Sequence, residues 1–265
     1  MSQDVKVHWQ TDGQGPDLVL VHGWGMNGAV WDQCTQRLKG CFTVHTVDLP
    51  GYGLSCDVSC QSLPELVELV LRDAPAQAIW LGWSLGGLVA TQIASQQPDR
   101  VSQLITLASS PKFSQDLPWK GIKKEVLNAF TEQLSANFSL TIERFMALQA
   151  MGSPSARKDV KQLKEAVLSR PAPAQEALHL GLDWLGNLDL RPVLQDLEMP
   201  VHRWYGRLDG LVPVNVASML NDEHLDHHSH IFSGSSHAPF ITELDAFIDQ
   251  LTSLIVKGIL DPQKA

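Results

Sequence analysis

The sequence predicts an α/β fold: a mostly parallel central sheet with helices on both faces and a helical lid inserted between two of its strands. Three observations carry this expectation. Short apolar runs alternate with longer segments of helical spacing, the pattern of strands joined by crossover helices. One of those runs, "LVLVHG", is continuously apolar, as a central strand buried on both faces requires. One long stretch, 111–186, holds helical patterns but no convincing strand.

Taken in order, "VKVHWQ" (5–10) alternates with period two and reads as a first strand, after which "TDGQGPD" turns the chain. "LVLVHG" (18–23) is continuously apolar and reads as a buried central strand. "FTVHTVDLPG" (42–51), "AIWLGWS" (78–84) and "VSQLITLAS" (101–109) supply three more. Between them, "LPELVELVLRDA" (63–74) and "LGGLVATQIASQQP" (85–98) carry helical spacing. "IKKEVLNAFTEQL" (122–134), "TIERFMALQAM" (141–151) and "ARKDVKQLKEAVL" (156–168) then follow one another without a strand. "VHRWYG" (201–206) and "SHIFSG" (229–234) complete the sheet. Residues 1–110 and 187–265 are therefore expected to form the core, and 111–186 a helical insertion. At the carboxyl end of a sheet, such an insertion is placed to act as a lid over a pocket.

At 265 residues, 44% hydrophobic and 18% charged, the chain suits one large globular domain. No stretch reaches the ~18 uninterrupted apolar residues of a membrane span. "MSQDVKVHWQ" lacks the basic and then apolar pattern of a secretory signal, so a cytoplasmic protein without membrane association is expected. Cys34, Cys41, Cys56 and Cys60 are too few for a disulfide framework and match no metal-ligand spacing; they read as free thiols. A net charge of −9 argues against nucleic acid as a partner. The charge is uneven: 111–186 holds 10 basic and 8 acidic residues, the remainder 10 and 21. A slightly basic lid is expected on an acidic body.

"LGWSLGG" (81–87) sets Ser84 between Gly82 and Gly86, where a strand gives way to a helix. A sharp turn there exposes the serine oxygen above the sheet and leaves no room for side chains two positions to either side. A serine hydroxyl needs a base, and the base an orienting acid. "YGRLDGLVP" offers Asp209 just past one strand, and "GSSHAPF" offers His237 just past the last. All three candidates stand at carboxyl ends of strands, on one edge of the sheet. An oxyanion needs two backbone donors, and the N–H groups of Leu85 and of Trp24, in "HGWG" (22–25), are placed for it. His22 ends an early strand and suits an architectural hydrogen bond. Asp48, in "VDLPGYGLS", reads as part of a glycine-dependent loop under the site. "NDEHLDHHSH" (221–230) gathers four histidines without a metal-ligand spacing, so it reads as a solvated loop. This chemistry calls for no metal and no organic cofactor.

In that order, "HGWG", "VDLPGYGLS", "LGWSLGGLVA", "YGRLDGLVP" and "GSSHAPF" resemble the α/β-hydrolase superfamily across essentially the whole chain. The tryptophan-rich forms of two of these motifs, with "ERFMALQAMG" in the lid, are similar more specifically to the pimeloyl-[acyl-carrier protein] methyl ester carboxylesterases of biotin synthesis. The resemblance implies the α/β-hydrolase fold and a serine esterase that releases methanol from a pimeloyl chain held by acyl carrier protein. It implies Ser84, Asp209 and His237 as the triad. Substrate contacts are implied at Trp24, Ser84, Leu85 and His237, and on the lid at Phe145, Met146, Ala147, Leu148 and Gln149. It also implies that basic lid positions dock the acidic carrier, matched here by Arg144, Arg157 and Lys161. Leu140 stands where another arginine is expected, and Lys161 lacks the bidentate fork of an arginine. Docking is then expected to be weaker, or shifted towards Lys158 or Lys164, the latter on one helix face with Arg157 and Lys161. A monomer is expected. A general short-chain carboxylesterase would share every catalytic residue, whereas a hydrolase-like binding protein would usually have lost one. A dehalogenase would want an aspartate at position 84.

Overall fold

The computed structural model describes residues 6–222 and 228–260. Seven strands form one sheet: β1 (Trp9–Gly13), β2 (Asp17–Val21), β3 (Thr43–Val47), β4 (Ala78–Trp83), β5 (Val101–Leu107), β6 (Val201–Gly206) and β7 (His228–Phe232). Their order across the sheet is β1-β3-β2-β4-β5-β6-β7. Every pairing is parallel except that of β1 with β3. The apolar runs explain the layering. Each residue of β4 and β6 is buried, and β2 is buried beyond its first residue, so both faces of the sheet centre are covered.

The first strand departs from expectation. It begins at Trp9 and continues through Thr11 and Asp12 to Gly13, four residues beyond the start of the alternating segment and into the predicted turn. Antiparallel pairing from Trp9↔Val47 to Gly13↔Thr43 sets these limits. An edge strand pairs on one side only and tolerates polar residues, so side-chain alternation does not locate it.

In the core, helices α1 (Asp32–Leu38), α2 (Leu63–Leu71) and α3 (Leu85–Gln96) follow β2, β3 and β4 in turn. Ser62 caps α2 by accepting the Glu65 N–H at 3.3 Å, and the Glu65 carboxylate accepts the Gln61 N–H at 2.7 Å. Between β5 and β6 the chain forms α4 (Lys124–Ala136), α5 (Phe138–Ala150), α6 (Ala156–Leu168), α7 (Gln175–Asn187) and α8 (Arg191–Gln195). α9 (Asn215–Asp222), α10 (Pro239–Thr242) and α11 (Leu244–Leu260) complete the chain. α3 packs across β4 and β5 with α2 and α8 beside it, and a second group packs α1 against α11.

The insertion is tied to the core by long-range hydrogen bonds. Arg170, after α6, donates to the Asp48 carboxylate at 2.6 Å, with both side chains almost fully buried. In α7, the carbonyls of Leu178 and Ala177 accept from the Trp24 indole (2.9 Å) and the Tyr52 hydroxyl (3.1 Å).

The strand order places the site. From β2 the chain passes to β3 on one side, then returns to β4 on the other. A crevice opens at the carboxyl ends of β2 and β4, where such an order reverses, and ligands of open α/β sheets bind there. The two loops leaving those strands carry Trp24 and Ser84.

Candidate active site

Ser84 is the single residue between β4 and α3, with φ 55° and ψ −119°. That conformation costs a non-glycine residue on the order of 1–3 kcal/mol and persists only when its surroundings enforce it. Here they do. The Ser84 N–H donates to the Leu107 carbonyl at 3.0 Å, and the Ser84 carbonyl accepts the Gly87 N–H at 2.9 Å and the Ser109 hydroxyl at 2.8 Å. The flanking glycines are sterically required. A Cβ on Gly82 would fall on the Gly86 carbonyl, and one on Gly86 would stand 2.5 Å from the Val21 carbonyl oxygen. Ser109 is a supporting residue that motif reading missed; its role depends on β5 lying beside β4, which the motif does not encode.

His237 follows β7 and Asp209 follows β6, and the two loops are laced together. The N–H groups of Arg207 and Leu208 donate to the Phe232 and Ser235 carbonyls, each at 2.9 Å. His237 is fully buried and Asp209 6% exposed, and Nδ1 of the imidazole lies 2.7 Å from Asp209 Oδ2. A carboxylate can only accept there, so Nδ1 carries a proton, and in the neutral imidazole the lone pair is on Nε2. The other Asp209 oxygen accepts the N–H groups of Leu211 (2.8 Å) and Val212 (3.0 Å), which orients the carboxylate. The Trp83 indole donates to the His237 carbonyl at 2.7 Å, and the Gln149 carbonyl accepts the His237 N–H at 3.0 Å. Among the described residues, buried Nε2 of His237 has no hydrogen-bond partner.

Ser84 and His237 line one cavity under α4, α5 and α7, walled by Phe130, Phe145, Leu182 and Leu211 among others. Its volume of about 10 Å³ holds about one water molecule. The arrangement can activate a hydroxyl next to a base and exclude bulk water. Phe130 and Leu127 went unnamed at the sequence level. Their signal is the i, i+3, i+7 spacing of Leu127, Phe130 and Leu134 on α4, all buried.

The loop that carries Trp24 and the start of α3 come together beside Ser84. Leu85 is the first residue of α3, so its N–H has no intrahelical partner and lies at the positive end of the helix dipole. A Cβ on Gly23 would stand 3.2 Å from the Ser84 Cβ, so the loop bearing Trp24 packs directly on the serine. His22 is occupied elsewhere. Its Nδ1–H donates to the Gly23 carbonyl at 2.9 Å and its Nε2 accepts the Leu49 N–H at 3.0 Å. Burial pushes it down to about 4, so it is neutral at pH 7. Asp48 accepts the N–H groups of Gly28 (2.6 Å) and Leu54 (2.7 Å) besides Arg170, which shapes the loop under the site.

The five lid positions do not share one environment. Phe145 faces the Ser84 cavity and packs edge-on to Trp24, with ring centroids 4.7 Å apart. Met146 and Gln149 are buried. Ala147 is exposed and Leu148 half-buried, and both line an outer apolar groove of about 560 Å³ between α4 and α5, with Arg144 and Met151. Phe130 borders both the groove and the cavity. Arg144 donates to the Gln133 side chain at 2.8 Å. Arg157, Lys161 and Lys164 are exposed on α6; Lys161 lies 3.7 Å from Glu165, and Lys164 2.6 Å from Glu143. Exposed pairs of this kind are weak and leave a cation available to a partner.

Among the described residues, no group of three or more His, Cys, Asp or Glu is placed to hold a metal ion. His224 and His227 lie outside the described residues. No described helix is long and apolar enough to cross a membrane.

A serine on a strained strand-to-helix turn at a topological switch point, lining one cavity with a carboxylate-bound histidine, is the arrangement of a hydrolase class, and comparison with known proteins agrees. Residues 16–244 match the model of the alpha/beta hydrolase fold, and the chain belongs to that family. Solved structures share the fold: an esterase from Exiguobacterium antarcticum superposes with a TM-score of 0.81 at 20% identity, covering 94% of this chain and 95% of that one. An enol-lactonase from Burkholderia xenovorans gives 0.78 at 16% identity, covering 94% and 96%. Much nearer in sequence is the pimeloyl-[acyl-carrier protein] methyl ester esterase of Vibrio campbellii, 62% identical over 92% of this chain and 96% of its own. The protein of the same name from Vibrio vulnificus is 58% identical over 97% and 100%.

Proposed function

We propose that this protein is a serine carboxylesterase that hydrolyses the methyl ester of pimeloyl-acyl carrier protein in biotin synthesis, releasing methanol and pimeloyl-acyl carrier protein. One observation carries the chemistry: Ser84, held at positive φ on its elbow, shares a closed apolar cavity with the unpartnered Nε2 of a histidine bound to Asp209. The substrate rests on the similarity to the Vibrio esterases over nearly the whole of both chains.

In this reading Ser84 Oγ attacks the ester carbonyl while His237 Nε2 takes its proton. Asp209 holds the imidazole in the required tautomer and stabilises the imidazolium. The N–H groups of Leu85 and Trp24 receive the oxyanion. His237 returns the proton to the leaving methoxide, methanol departs, and a water deprotonated by His237 releases the acid. As that water attacks the acyl-serine, His237 passes its proton to Ser84 Oγ and the acid leaves, so with water as co-reactant the steps balance without a cofactor. One chain carries the whole constellation, so the site needs no second copy, and we read the protein as a cytoplasmic monomer.

The acyl chain is assigned to the face of α5 that carries Phe145 and Met146, with Gln149 at its end. Phe145→Ala should change relative kcat/KM among linear and branched acyl esters by about tenfold, because it removes one wall of a narrow cavity. Melting temperature distinguishes this from plain loss of lid core: a uniform fall on all esters with a lower Tm would withdraw the assignment.

The carrier is assigned to the basic rim formed by Arg144, Arg157 and Lys161, on a lid less acidic than the body beneath it. Such a rim acts mainly on the rate of association. Comparing kcat/KM on carrier-bound pimeloyl methyl ester and on a small soluble methyl ester tests the function directly. Wild-type enzyme should prefer the carrier-bound form. Reversing charge at Arg157 and Lys161 together should lower kcat/KM about tenfold for that form only, with the loss shrinking at high salt. Equal rates on both substrates in the wild type would favour a general short-chain esterase. Equal losses in the variant would mean that the rim supports the lid.

A further inference from the structure

Asp159, on α6, is 2% exposed although it carries a carboxylate. Among the described residues, its carboxylate accepts from three hydroxyls. Ser153 Oγ (2.6 Å) and Thr242 Oγ1 (2.9 Å) donate to Oδ2, and Ser155 Oγ (2.8 Å) donates to Oδ1. A charge is held away from water only where such charge-assisted bonds offset its desolvation, so this cluster is a specific local arrangement.

Its position gives it meaning. Ser153 and Ser155 belong to the turn between α5 and α6, whereas Thr242 ends α10, which begins two residues after His237. The same two segments meet twice more. The Met151 carbonyl accepts the Ser236 hydroxyl at 2.9 Å, and the Gln149 carbonyl accepts the His237 N–H at 3.0 Å. Residues 149–159 of the lid and 236–242 of the core are thus stitched along one seam. The catalytic imidazole lies at one end of it and the Asp159 carboxylate at the other. Asp159 fixes both sides at once, folding the lid turn through two serines and gripping the histidine segment through Thr242.

We propose that Asp159 is a positioning residue for His237. It clamps the lid turn onto the histidine segment, so that the imidazole keeps its place in the cavity it shares with Ser84 when substrate enters beneath α4 and α5. The proposal rests on the reading of His237 as the general base. Misplacing a catalytic group by about 1 Å can cost about a hundredfold, and loosening one end of the seam should cost less.

Thr242→Val removes the hydroxyl and keeps the shape, Thr242→Ser keeps the hydroxyl, and Asp159→Asn removes the charge and puts a donor in place of one accepting oxygen. Each is measured for the rate of Ser84 labelling by a fluorophosphonate, for kcat and KM on p-nitrophenyl butyrate, and for Tm. The hydrogen-bonded Nδ1 proton of His237 is followed by proton NMR. Thr242→Val and Asp159→Asn should lower labelling rate and kcat about tenfold, leave KM within about twofold, and broaden or shift the Nδ1 proton. Thr242→Ser should behave as wild type. Labelling and kcat that fall only in proportion to lost folded protein, with an unchanged Nδ1 signal, would overturn the proposal, as would wild-type rates in Asp159→Asn. Wild-type enzyme that resists labelling at Ser84 would instead overturn the catalytic reading, and the positioning role with it.

Discussion

Ser84→Ala should abolish covalent labelling by a fluorophosphonate and reduce ester turnover on the order of 10⁶-fold, the scale of loss when the nucleophile of a serine hydrolase is removed. The fold should be kept. Alanine has the same Cβ and faces the same strain at φ 55°, and the bonds that hold the elbow all come from its backbone, to Leu107, Gly87 and Ser109. A Tm within a few degrees of wild type is therefore expected, which separates loss of chemistry from loss of structure. Active-site labelling followed by intact-mass measurement checks both halves. Undiminished labelling in the variant would remove Ser84 from the mechanism.

Asp209→Asn should cost about 10⁴-fold in kcat, as the same change does in a Ser-His-Asp protease. The hydrogen bonds around the carboxylate explain why so conservative a change is so damaging. The N–H groups of Leu211 and Val212 both donate to Oδ1, so an asparagine must keep its carbonyl oxygen on that side. Its NH₂ then faces His237 Nδ1, which must turn from donor to acceptor. The imidazole proton moves to Nε2, where it blocks acceptance of the Ser84 proton. Turnover of a small soluble ester at pH 7 measures the loss. A variant with more than about a tenth of wild-type activity would show that the imidazole is oriented by something other than Asp209.

Much of the core was legible because its signals are local. β2 and β4 are buried on both faces, and a continuous apolar run marks each within one or two residues, whereas β6 buries His202 and Arg203 within its run. β1, an edge strand, gave a misleading alternation, because pairing with β3 decides where it starts. The elbow was readable from Gly82 and Gly86, since only backbone neighbours within a few residues and the adjacent β2 forbid side chains there. Asp209 and His237 were found through the order of loops after strands, which the connectivity of a parallel sheet constrains.

The lid was legible in its helices and not in its faces. Periodicity in "TIERFMALQAM" marks α5 as amphipathic, yet it does not say which neighbour each side meets. Only packing placed Phe145 in the Ser84 cavity while Ala147 and Leu148 border the outer groove. The same holds for the Asp159 cluster, whose partners lie as far as 83 residues away in the chain. By itself the sequence determined the central strands, the elbow and the order in which the candidate residues Ser84, Asp209 and His237 follow strands, because backbone sterics and burial act over a few residues. Tertiary structure alone decided how the lid grips the histidine segment, because a hydrogen bond between distant segments exists only once the helices between them have packed.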